Sequence, residues 1–177
     1  LPYLRKDGEV NPERDRGDNT ALGRFQLAVR TLCLAYYLTG DERYADHAGE
    51  LLRAWFLDPE TRMNPNLNYG QAIPGVCDGR GTGIIDTVGL IDLVDRVGLL
   101  HGSPHWTSAD QEGLVVWFSA YLDWLLTSAH GQQEAKASNN HGSWYDAQVA
   151  AFALFARRNE VARRVLAAVG ETRVVRQ

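Results

Sequence analysis

Apolar side chains return at steps of three and four along most of this chain, which confines it to helices packed face against face. Leu22, Phe25, Val29, Leu32 and Tyr36 mark one such face, the spacing of an amphipathic helix rather than the alternation of a half-buried strand. No alternating run of comparable length occurs, so the fold class is all-α. The first helix starts at Asn19 and stops at Gly40, which suits the left-handed C-terminal position, and Asp41 is an N-cap for a second helix. That helix carries Leu51, Leu52, Trp55 and Phe56 as far as Asp58-Pro59. So short a turn makes the two an antiparallel pair.

Helical spacing resumes through Ile84, Ile85, Val88, Ile91 and Val94 to Gly98. Thr107 caps a fourth helix bearing Leu114, Trp117, Phe118, Tyr121, Leu122 and Leu125, with Asp110 at the positive end of its dipole. It ends near Ser128, a polar loop over residues 129–141 follows, and a helix with Val149, Phe152 and Phe155 leads to a short last one from Asn159 to Gly170. The stretches at 35–45 and 153–162 both read as helix, tight polar turn, helix. Repeated αα-hairpins of this kind point to a solenoid or a closed α/α toroid. Residues 1–18 mix charges without periodicity and read as an irregular arm. Residues 171–177 carry no stop signal, so the chain is expected to continue.

With 18 basic against 22 acidic side chains the formal charge is −4, which excludes a strongly basic nucleic-acid binder. No apolar run approaches the roughly 18 residues of a membrane span. Cys33 and Cys77 match no redox or zinc spacing, and Cys33, beside an apolar stripe, reads as a small buried hydrophobe. His101 and His105 are kept off one helix face by Gly102 and Pro104, so no metal site is expected there. The glycine-rich stretch 79–83 follows no strand and lacks the phosphate-loop lysine, and no serine-hydrolase elbow occurs. No cofactor is expected.

Two clusters can carry chemistry. Ser138, Asn139, Asn140, His141, Gly142, Ser143, Trp144, Tyr145 and Asp146 lie where a polar loop turns into a helix. Amide donors and an imidazole at a helix N-terminus make a corner receptive to anions. The plainer reading is that Asn140 or Ser143 caps the helix while Trp144 packs in the core. The second cluster is the loop carrying Asn68, Tyr69 and Gln71, followed by Arg80. Amides read hydroxyls, a tyrosine stacks on a sugar face and an arginine grips a carboxylate; equally, these are ordinary turn formers. A glycosidase would need two facing carboxylates, and nothing in the sequence pairs Asp78, Asp86 or Asp146.

The run Asn139 to Tyr145, with the stretch Asn66 to Gly75 and the opening Tyr3 to Pro12, resembles the alginate lyase family of polysaccharide lyases, which includes mannuronate and glucuronan lyases. The likeness covers essentially the whole chain. It implies an α/α toroid built from antiparallel helical hairpins, with residues 1–177 the N-terminal part of a single catalytic domain. It implies metal-independent β-elimination on an acidic polysaccharide, mannuronate-rich alginate first and glucuronan as the alternative, and a periplasmic or secreted location. Asn140 and His141 would neutralise the uronate carboxylate; Asn68, Tyr69, Gln71, Arg80, Asn139 and Trp144 would bind substrate. The family's tyrosine and arginine for proton transfer are expected beyond Gln177. A toroid glycoside hydrolase and a non-catalytic helical sugar-binding module stand as the rival readings.

Overall fold

The computed structural model describes Glu9 and residues 18–175. The arm expected over residues 1–18, with the motif from Tyr3 to Pro12, lies outside the described residues except for Glu9 and Asp18. Among those described, the chain is all-α; one isolated bridge, Ile73 with Cys77, closes a loop tip.

Helix α1 (Asp18–Thr39) buries Leu22, Phe25, Val29 and Cys33. The chain reverses at Gly40, whose φ of 67° is the left-handed conformation that glycine adopts freely. Asp41 then caps α2 (Glu42–Leu52) by accepting from the Arg43 N–H at 3.1 Å. A π-helical turn, Arg53–Leu57, extends α2 and delivers Phe56 to the core.

The single helix expected from Ile84 to Gly98 is divided. A 3₁₀ turn, Gly81–Thr87, precedes α3 (Leu90–Val97). Two glycines open that turn, and the Thr87 hydroxyl bonds back to the Ile84 carbonyl at 2.9 Å, a local bond that competes with regular helix.

Helix α4 (Ser108–Thr127) starts in a reciprocal capping box between Thr107 and Asp110. It is the spine of the core: Leu114, Phe118, Tyr121, Leu122 and Leu125 are fully buried. Phe56 meets Trp117 with ring centroids 4.6 Å apart, and Phe118 meets Phe152 at 5.1 Å.

The polar loop expected over residues 129–141 is in large part helical. Helix α5 (Ala129–Ala135) follows α4 after one residue, and the Ser128 side chain caps it by accepting from the Gly131 N–H at 3.0 Å. Its sequence has no apolar stripe, which is what hides it from a periodicity reading. Helix α6 (Asn140–Phe155) and helix α7 (Asn159–Val169) form a second hairpin, followed by a π-helical turn, Gly170–Val174.

A buried polar knot sets the angle of α6. Thr87 Oγ1 lies 2.7 Å from both the Tyr121 hydroxyl and Gln148 Oε1. The Tyr145 hydroxyl donates to the Leu125 carbonyl at 2.8 Å. Buried polar groups satisfied in this way specify one arrangement of their elements, and here they join the 3₁₀ turn, α4 and α6.

Candidate active site

The first turn of α6 brings the first cluster together. Asn139 is the cap, with its side-chain oxygen accepting from the His141 N–H at 3.0 Å. The cap is therefore neither Asn140 nor Ser143. Trp144 is not a core residue either; 43% of it is exposed. Asn140 is exposed too.

The His141 ring turns inward. Its Nδ1 lies 2.6 Å from Glu134 Oε1, and Glu134 is only 2% exposed. A buried carboxylate is costly unless a donor satisfies it, and the imidazole provides one. Glu134 escapes sequence reasoning because it falls in the segment read as loop. Its one signal is being the sole acidic residue of α5.

The α5–α6 elbow is held from the far end of the chain. Arg173 Nε and Nη2 donate to the two Asp146 oxygens at 2.7 and 3.0 Å, while Nη1 and Nη2 donate to the carbonyls of Ala137 and Ala135 at 2.8 and 2.9 Å. Bonding to Asp146 holds the guanidinium above its ordinary pKa. Asp146, engaged in this fork, is not placed as one of a facing carboxylate pair.

The second cluster is a hydrogen-bonded hub. Gln71, at a φ of 50°, donates from Nε2 to Asp86 at 3.1 Å and accepts at Oε1 from Arg80 and Thr82, both at 3.2 Å. Arg80 Nε also donates to the Gln71 carbonyl at 2.9 Å. Asn68 Oδ1 accepts from Trp124 Nε1 at 2.8 Å. Tyr69 stands out in solvent, 77% exposed. The loop is pinched at its neck, where the Arg80 N–H donates to the Gly70 carbonyl at 3.0 Å and a Cβ on Gly83 would lie 2.6 Å from the Gly70 backbone.

Helix α5 joins the clusters. Gln133 accepts from the Gly81 N–H at 3.2 Å, and the next residue, Glu134, holds His141. Tyr145 and Tyr121 are both buried, and the Tyr145 hydroxyl is engaged by the Leu125 carbonyl. Burial, then the charge of Asp146, pushes the Tyr145 hydroxyl up to about 12, and burial lifts Tyr121 higher still. A cleft of about 560 Å³ runs beside Ser143, Asp146, Leu166 and Arg173, and another of about 930 Å³ beside His101, Trp106 and Gln111; His141 lines neither.

Among the described residues no three His, Cys, Asp or Glu side chains converge as metal ligands, and no helix is long and apolar enough to cross a membrane. A family model, that of the alginate lyases, matches residues 1–177. No curated protein matches. The chain superimposes on the crystal structure of an alginate lyase from Bacteroides ovatus with a TM-score of 0.97 at 42% identity, covering 100% of this chain and 47% of that one. It thus spans about half the length of that lyase. Matched over its full length by one family model and sharing the backbone course of that enzyme, the chain belongs to the alginate lyase family.

Proposed function

We propose that these residues form the carboxylate-binding side of a polysaccharide lyase site acting on a uronic-acid polymer, mannuronate-rich alginate ahead of glucuronan. The observation that carries the reading is Asn140 and His141 side by side in the first turn of α6. A uronate carboxylate there meets an exposed amide, an imidazole edge and the positive end of a helix dipole. Interactions that strengthen as charge moves onto the carboxylate lower the barrier to losing the C5 proton.

The elimination balances without an added reagent. A base takes the C5 proton, its bonding pair becomes the C4–C5 double bond, the C4–O4 bond breaks, and the departing O4 receives a proton. Tyr121 and Tyr145 are buried, which leaves the His141 ring as the group in this corner that can take that proton. Tyr69 and Trp144 offer exposed rings to sugar faces, Asn68, Asn139 and Arg80 line the approach, and Gln71 holds the loop in shape. On this reading residues 1–177 are part of one α/α-toroid catalytic domain, working in the periplasm or outside the cell where such polymers are met.

The test is ultraviolet absorbance of the unsaturated uronate during incubation of the full chain with polymannuronate, polyguluronate and glucuronan. A rise that His141→Ala and Asn140→Ala each cut by about 100-fold or more is the expected result. A saturated product would assign a hydrolase, and binding without any product would assign a sugar-binding module.

A further inference from the structure

The Glu134–His141 contact spans the α5–α6 elbow, and both of its ends are held. Glu134 follows Gln133, which is tied to Gly81, and His141 is anchored through its N–H to Asn139. Between them the carbonyls of Ala135 and Ala137 are gripped by Arg173. The 2.6 Å separation of Nδ1 and Oε1 is therefore a built distance.

A carboxylate only accepts hydrogen bonds, so a ring nitrogen that satisfies it must carry the hydrogen. With Glu134 at 2% exposure, water is not there to replace that donor. The opposite tautomer would set the buried carboxylate against a bare nitrogen lone pair, an uncompensated desolvation. The ring is 24% exposed, and among the described residues no hydrogen bond engages Nε2.

We propose that Glu134 is a positioning residue that reserves Nδ1 of His141 for itself and leaves Nε2 as the nitrogen through which the ring exchanges a proton with the substrate. The substrate half of this statement rests on the lyase reading; the tautomer half does not. As a neutral ring His141 takes the C5 proton at Nε2, the C5–H pair becoming the C4–C5 double bond as the C4–O4 bond breaks; the Nε2–H so formed donates to the uronate carboxylate and then yields its proton to the departing O4. An amide in place of Glu134 can donate to Nδ1 instead, which would put the hydrogen on Nε2 and close that route.

The experiment pairs imidazole ¹⁵N spectra of the full chain, with His141 assigned by its absence in His141→Ala, with steady-state kinetics on polymannuronate. Wild type should show a hydrogen on Nδ1. Glu134→Gln should move it to Nε2 and lower kcat by about 100-fold with KM altered far less, and Glu134→Asp, which keeps the acceptor, should restore the Nδ1–H signal and part of the rate. A bare Nδ1 in wild type, unchanged ring signals in Glu134→Gln, or a moved hydrogen with undiminished kcat would each overturn the proposal. If wild type yields no unsaturated product, the lyase reading fails, and the ring spectra alone decide whether Glu134 sets the tautomer.

Discussion

Arg173 reaches back across 27 residues to close a two-pronged ion pair on Asp146. The same guanidinium satisfies two carbonyls of the α5–α6 elbow, groups that the ends of the helices leave without partners. A residue at the far end of the chain thus sets the geometry of the corner that presents His141.

Arg173→Met strips Asp146 of its partner and frees both carbonyls. Stability should fall by about 2–3 kcal/mol, read from urea unfolding. Arg173→Lys should recover only part of this, since an ammonium cannot reproduce the planar fork.

Gly142 occupies a place where a methyl would run into the Ala137 carbonyl and the Arg173 guanidinium. Gly142→Ala must open the elbow, with an expected cost of about 2 kcal/mol. Thermal unfolding measures it, and an unchanged melting temperature would show that the elbow yields.

Gln71 and Trp144 should separate cleanly. Gln71→Ala breaks bonds to Asp86, Arg80 and Thr82 and should lower stability by about 1–3 kcal/mol.

Trp144→Ala, at an exposed site, should stay within about 0.5 kcal/mol of the parent while raising KM for the polymer. Denaturation curves alongside initial rates distinguish shaping the loop from touching the sugar.

Alkali should loosen the fold before it damages the chain. The neutral form of Tyr145 is favoured in the folded protein, with its pKa at about 12 against an ordinary 10.0. That stabilisation is complete below pH 10 and is lost as the pH climbs towards 12. Melting temperatures followed across this window should fall, and Tyr145→Phe should flatten the decline.

What could be read in advance follows what local sequence determines. The face of α1, the caps Asp41 and Thr107 and the burial of Cys33 depend on spacing and on single polar residues at helix starts, and these are visible in a string of letters. Helix α5 is not, because it is seven residues long, has no apolar stripe and is held by its cap and by tertiary contact. The Asn139–His141 run stands out as a motif, yet its buried partner Glu134 appears only when the elbow folds back. Gln71 reads as a residue reaching for sugar, whereas its side chain is taken up by three neighbours. Trp144 reads two ways, as core packing or as a substrate contact, and its exposure removes the first.

The pinch between Gly70 and Gly83 separates two kinds of change. Because the backbone is already closed there, lengthening the segment beyond the neck costs loop entropy, about 0.6 kcal/mol per doubling, and the Ile73–Cys77 bridge at its tip. The anchoring of Asn68 on Trp124 and of Gly81 on Gln133 would stay as it is. On the lyase reading proposed above, variation between Ala72 and Asp78 would reshape what the loop tip reaches while the His141 corner keeps its geometry, so polymer preference would drift without that corner being rebuilt.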